Sequence, residues 1–307
     1  MTRRLAFLLS SALLLAACGG TAAAPDDTAA GDTGETAPPS EAVADLPDTL
    51  RIGVGPLLPT PEDTQAAWDP FFSWLAGELG VDYELTATTD WAGIAVAMGN
   101  DQLDLAWMGP FGFVLANDDA GAEAIATALY DGRPIYHAII VGRPDLQIDE
   151  FPQDAEGLSV SFADAGSTSG WLIPTHWFQE QDIDPATFFD YSEGATHAAN
   201  EVAVANGQVD LATDFDRNRN AMIETGTIAE DATRIFWESE PLPNDAIAVR
   251  EGLDPALTER IRALLVALTP EEAAEILPDH YTGFVEATDD SYTPIRDAAV
   301  EVGVLER

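Results

Sequence analysis

The sequence has no lysine, a single cysteine and only 13 basic residues, all arginine, against 54 acidic ones, for a formal net charge of −41 over 307 residues. Each shortage excludes something. A nucleotide-hydrolase phosphate loop needs a lysine to reach the outer phosphates, so that chemistry is out. A nucleic-acid groove needs a basic face, and so does an electrostatic grip on anionic lipid, so neither is expected. With Cys18 as the lone cysteine no internal disulfide can form, and the folded part must stand on its core. The four histidines, His137, His176, His197 and His280, form no i, i+3 or i, i+4 pair. Without thiolates in the body, neither a transition-metal site nor any cofactor is expected. Asp214 and Asp216 are close enough to suggest a hard cation, but they lack the calcium-loop pattern. No period of 20–50 residues repeats, which excludes a solenoid.

Long apolar runs are also missing. The longest, Leu5 to Ala17, falls short of the roughly 20 residues that a membrane-spanning helix needs. It follows Thr2-Arg3-Arg4 and ends in small residues, the layout of a secretory signal, so residues 1–17 read as a signal peptide. Leu15-Ala16-Ala17-Cys18 resembles a bacterial lipobox, which implies that Cys18 carries lipid and becomes the first mature residue. The Arg3-Arg4 pair leaves the export route open. Residues 18–48 are rich in Ala, Gly, Thr, Pro and acids and have no aromatic. Such a stretch buries too little to order itself and reads as an acidic, disordered tether to a membrane.

The body alternates between two periods. Thr49 to Gly55 reads as a strand, followed by a helix capped by Asp63 or Thr64 and closed by Gly80. Asp82–Thr88 reads as a strand, Trp91–Met98 as a helix and Leu103–Met108 as a buried strand, with further strands near Ala124–Leu129 and Tyr136–Val141. The pattern restarts with a strand at Leu158–Phe162, a helix at Ser169–Gln181, a short strand at Phe188–Tyr191 and a helix at His197–Ala205. Strands follow at Val209–Thr213 and Arg234–Glu238, and the chain from Asp254 to Val302 reads as mainly helical. Strands alternating with helices indicate an α/β fold with parallel sheets in two lobes. Ligands in such folds sit beyond the carboxyl ends of strands and between lobes.

The segment Ser161 to Pro174 carries the clearest chemistry. A strand runs into a Gly-flanked hydroxyl cluster, Ser167-Thr168-Ser169, and a helix starts at once. The first N–H groups of that helix lack partners and mark the positive end of its dipole. Together with the hydroxyls they make an anion site that needs no lysine; a plain N-cap with spare hydroxyls is the alternative. A nucleophile elbow would need serine between the flanking glycines, where Thr168 stands. A hydrolase built from Ser169 and His197 stays open as a second class.

Several pieces in order resemble the phosphate/phosphite/phosphonate-binding proteins of ABC importers, over roughly residues 50–300. They are Trp68-Asp69-Pro70-Phe71, Leu103 to Trp107, Tyr136, Gly166 to Gly170 followed by Pro174, Gly194-Ala195-Thr196-His197, Ala203 to Asp210, and Pro241 to Asp245. The resemblance implies a two-lobed type II periplasmic-binding-protein fold with two hinge crossings. Lobe 1 would hold residues 49–138 and 243–307, with lobe 2, residues 139–242, inserted. It implies that Ser167, Thr168, Ser169, His197 and Tyr136 hold a phosphorus oxyanion, that Trp91 walls it, and that Asp245 faces an amine or an acidic proton. Where aminophosphonate binders carry a second acid, this sequence places Arg217, with Asp216 one residue away. The resemblance also implies a monomer that binds without catalysis and delivers its ligand to an ABC permease and ATPase. A ligand-sensing domain for a receptor is the other use of the same fold.

Overall fold

The computed structural model describes residues 46–58 and 60–306, so the signal peptide, Cys18 and nearly all of the tether lie outside the described residues. The chain opens with β1 (Thr49–Val54), α1 (Pro61–Leu79), β2 (Asp82–Ala87), α2 (Trp91–Gly99), β3 (Leu105–Met108), α3 (Pro110–Ala120) and β4 (Glu123–Tyr130). A two-residue strand, β5 (Ile135–Tyr136), leads into β6 (Ala138–Gly142), β7 (Ser159–Ala163), α4 (Ile173–Glu180), α5 (Pro185–Phe188) and β8 (Asp190–Ala195). Then come α6 (His197–Ala205), β9 (Leu211–Phe215), α7 (Asp216–Glu224) and β10 (Arg234–Glu238). The chain returns through β11 (Leu242–Pro243) to β12 (Ala246–Val249), α8 (Pro255–Ala267), α9 (Pro270–Ile276), β13 (Tyr281–Glu286) and α10 (Thr293–Val302).

Among the described residues two large sheets result, of order β13-β4-β12-β3-β1-β2 and β10-β6-β9-β7-β8, beside a two-stranded pair. The crossings β5 and β11 pair with each other, Leu242 opposite Tyr136 and Pro243 opposite Ile135. This is the two-lobed α/β architecture of type II periplasmic binding proteins. The expected parallel sheets are mixed. β1 runs parallel to β2 and β3, but β12 is antiparallel to β3 and β4. A chain that leaves one lobe and re-enters it from the crossing must traverse its sheet in the opposite sense.

Local corrections have local causes. Thr60 caps α1, accepting from Asp63 N at 3.1 Å, because Pro61 takes the first helical position. Thr64 is buried instead, accepting from Leu58 N at 3.0 Å. Phe188 ends the short turn α5, capped by Asp184, so the strand starts later, at Asp190. The C-terminal stretch read as helical contains β13, which closes the edge of the larger sheet against β4.

The first lobe's main core packs Leu50, Ile52 and Val54 of β1 against Phe71, Phe72 and Leu75 of α1 and Trp107 of β3. In the second lobe, Phe162, Phe178 and Leu211 form a separate core. A third cluster joins the lobes: Ile295, Ala298 and Ala299 of α10 share it with Phe113 of α3 and with Leu172 and Ile173 at the start of α4.

Candidate ligand-binding site

Between the sheets lies a cavity of about 150 Å³. The carboxyl ends of the parallel strands point into it from both lobes. Its walls are Leu57 and Leu58 after β1, Trp91 at the start of α2, and Gly109 and Pro110 at the start of α3. The second lobe adds Ser167, Thr168 and Ser169 after β7, Thr196 and His197 at the start of α6, and Phe215 and Arg217 at the start of α7. Tyr136, Asp245 and Tyr281 complete it from the crossings and β13. All eight residues proposed from sequence to touch a ligand therefore line one cavity. Several helix N-termini open on it, so its field favours an anion although the protein as a whole is strongly negative.

The hydroxyl loop is built by its neighbours. Ser167 is extended (φ −78°, ψ 131°) and caps the following turn, its Oγ accepting from Gly170 N at 3.0 Å. Leu172 N then donates to Ser167 O at 3.0 Å, a five-residue reach that widens the first turn of the helix. Thr213 Oγ1 donates to Gly170 O at 2.7 Å and accepts from Ala163 N at 3.1 Å, tying the turn to β7 and β9. Gly170 is required here: a Cβ would lie 2.3 Å from Ala163 Cβ and 2.8 Å from His197 Cε1. Thr168 Oγ1 accepts from Phe111 N at 2.9 Å, a bond from one lobe to the other.

His197 Nε2 lies 3.1 Å from Ser167 Oγ, and Nδ1 lies 3.1 Å from Asp214 Oδ1, close but outside hydrogen-bond alignment. Burial lowers the His197 pKa to about 4, opposed by the nearby Glu201 and Asp164. Asp214 is fully buried, with both oxygens accepting from Asn218 Nδ2 at 3.0 and 2.9 Å. Burial pushes its pKa up to about 7, and that of fully buried Glu201 up to about 9 with help from Asp214. Glu201 thus keeps its proton at neutral pH, and the cluster carries less charge than its formula suggests. With a proton on Nδ1, neutral imidazole presents Nε2 as an acceptor; imidazolium presents it as a donor to an oxyanion.

Across the cavity, Tyr136 is buried, and desolvation with the Asp245 charge raises its pKa, so its hydroxyl stays a donor. Asp245 Oδ2 accepts from Trp107 Nε1 at 3.0 Å; burial raises its pKa while Arg217 and Trp107 pull it back. Arg217 Nη2 donates to Asn244 Oδ1 at 2.8 Å, with its guanidinium carbon 4.5 Å over the Tyr130 ring and 5.0 Å over Tyr136. Asp216, the alternative one residue earlier, turns back to the chain: its Oδ1 accepts from Arg217 N at 2.9 Å and His137 N at 3.2 Å.

Besides Phe215 and Tyr281 on the cavity wall, three residues behind it escaped the sequence reading of the site. Asn244 is fully buried and links Arg217 to the Asp245 backbone. Asp214 and Glu201 stand behind His197. An available signal was an acid four residues after His197, on the helix face that also carries Asn200 and Val204.

The family model described as "ABC transporter, phosphonate, periplasmic substrate-binding protein" matches residues 57–292. Among curated proteins, the chain is 28% identical over 245 residues to the phosphonates-binding periplasmic protein of Escherichia coli, covering 78% of this chain and 72% of that one. It is 26% identical over 292 residues to the phosphate-import protein PhnD of Mycolicibacterium smegmatis, covering 87% and 90%. Among solved structures it resembles a binding-protein component of a phosphonate ABC transporter from Pseudomonas aeruginosa, at 26% identity and a TM-score of 0.73, covering 83% of this chain and 86% of that one. PhnD1 of Prochlorococcus marinus, solved with methylphosphonate, shares the fold at 17% identity and a TM-score of 0.74, covering 84% and 99%.

Proposed function

We propose, since the chain belongs to the family of periplasmic phosphonate-binding proteins of ABC transporters, that it captures a phosphorus oxyanion between its lobes and delivers it to a permease. One observation carries the reading: Ser167, Thr168, Ser169 and His197 converge on the cavity at helix starts, opposite Tyr136 and Asp245. Hydroxyls, N–H groups and dipoles supply the attraction that a lysine cage supplies elsewhere. Trp91 and the rings of Phe215 and Tyr136 exclude water, which strengthens each of those bonds. The Leu15–Cys18 segment supports export with lipid on Cys18, which would tether a monomeric body at the outer face of the membrane.

Binding without catalysis fits the site better than hydrolysis. Ser167, not Ser169, meets His197, and its hydroxyl oxygen already accepts from Gly170 N. Burial raises the pKa of Asp214, the acid behind the histidine, which weakens it as an ionised partner. The test is calorimetric titration with phosphate, phosphite and methylphosphonate. Saturable one-to-one binding of at least one is expected, weakened by at least roughly 100-fold in Ser169→Ala/His197→Ala, since each lost charge-assisted bond costs about 1.5–3 kcal/mol. Unchanged affinity in the folded double variant would sink the assignment of the cradle.

A further inference from the structure

Arg217 is the one arginine among the described residues that line the cavity. It is held beside Asp245 by a shared partner: Asn244 Oδ1 accepts from Arg217 Nη2 at 2.8 Å and from Asp245 N at 2.9 Å. Arg217 Nε and Nη1 are buried and have no hydrogen-bond partner among the described residues. Asp245 is only 6% exposed and gives one oxygen, Oδ2, to Trp107. A donor at the start of α7 and an acceptor just past the second crossing, each with unused capacity, thus stand together on the cavity wall. A guanidinium held under two tyrosine rings cannot swing out to water without losing both contacts.

We infer that Arg217 and Asp245 together read an oxygen at the fourth position of the tetrahedral ligand, so that the preferred ligand is inorganic phosphate. This rests on the phosphorus-oxyanion reading above. The cradle of Ser167, Thr168, Ser169 and His197 serves the three oxygens that phosphate and phosphonates share, and only the fourth substituent distinguishes them. A P–OH group donates to the Asp245 carboxylate and accepts from Arg217. A methyl group does neither: it leaves Arg217 Nε and Nη1 unpaired and adds no donor to Asp245 beyond Trp107, which is how a polar site rejects an analogue. A chain ending in ammonium meets the like charge of Arg217 as well.

Calorimetric titration of the whole protein with phosphate, arsenate, phosphite, methylphosphonate and 2-aminoethylphosphonate tests this. Phosphate and arsenate, with four oxygens each, should bind within about tenfold of one another. Phosphite and methylphosphonate should bind at least roughly 100-fold more weakly, and 2-aminoethylphosphonate weakest of all. Phosphite separates hydrogen bonding from crowding, because its fourth substituent is a hydrogen. In Arg217→Met, which keeps the apolar stem, the advantage of phosphate over methylphosphonate should shrink below about tenfold. The wild-type ranking stands without the variant: methylphosphonate or 2-aminoethylphosphonate binding as tightly as phosphate overturns the inference and leaves the broader function intact. Silence from all five ligands in folded protein overturns the broader function.

Discussion

Three strand ends meet at Asp104. Arg51, on β1, donates through Nε to Oδ2 at 2.9 Å and through Nη2 to Oδ1 at 2.7 Å, and Arg250, just past β12, donates to Oδ1 at 2.9 Å. These bonds outweigh the cost of burial and hold the Asp104 pKa at about 2, below its ordinary 3.8. A carboxylate with a depressed folded pKa stabilises the fold above its unfolded pKa, and that contribution is lost as pH falls through the folded value. The difference corresponds to about 2 kcal/mol at neutral pH. Asp104→Asn should therefore lose about 2 kcal/mol in urea unfolding at pH 7, with the gap to wild type narrowing below about pH 3. An equal gap at both pH values would mean that shape, not charge, holds the strand ends. At this scale the sequence was readable only in part. The Ser167–Ser169 loop was legible because it is contiguous and flanked by glycine. Tyr136, Trp91, His197 and Asp245 could be assigned only through the family resemblance, since one residue in isolation names no partner. Asp104 and Asn244 derive their roles from contacts far away in sequence, which no local pattern encodes, and Asp214 and Glu201 gain theirs only where the fold sets them behind His197.

Trp91 is placed by glycines from two other segments. A Cβ on Gly55, after β1, would lie 2.2 Å from Trp91 Cζ3, and one on Gly109, before α3, would lie 3.2 Å from it. The indole wall therefore needs bare backbone at the ends of two neighbouring strands. Gly55→Ala should displace the ring and weaken ligand binding by roughly tenfold or more while costing about 1–3 kcal/mol in stability, the usual price of overpacking. Titration and thermal unfolding of the variant measure the two effects, and unaltered affinity would show that the ring is no part of the site. Elements α2, α6 and β10 matched their sequence signals almost residue for residue, the two helices starting from side-chain caps at Asp90 and Thr196. β13 did not. Its Tyr281-Thr282-Gly283-Phe284-Val285-Glu286 run sits among helical segments, and it becomes a strand because β4 offers a free edge. Likewise the reversed direction of β12 follows from the crossing, a property of the chain path rather than of any local run.

The lobes touch in this structure: Thr168 of one accepts a hydrogen bond from Phe111 N of the other, and α10 packs against both. A ligand must reach the cavity between them through the field of a protein with net charge −41. Near the site, helix starts and Arg217 attract an anion, but the helix-start field fades within a turn and one guanidinium stands against many surface acids, whose summed field reaches out over a Debye length. That length shrinks from about 30 Å at 0.01 M salt to about 8 Å at 0.15 M. Added salt should thus screen repulsion more than attraction, and the association rate for phosphate should rise with ionic strength, opposite to the usual steering of an anion to a basic protein. The dissociation rate, set by bonds inside the closed cavity, should change little. Stopped-flow measurement of tryptophan fluorescence across that salt range separates the two rates. A rate that falls with salt would mean that the positive helix starts project their field beyond the cavity mouth and outweigh the acidic surface, so that the acids would not govern ligand approach.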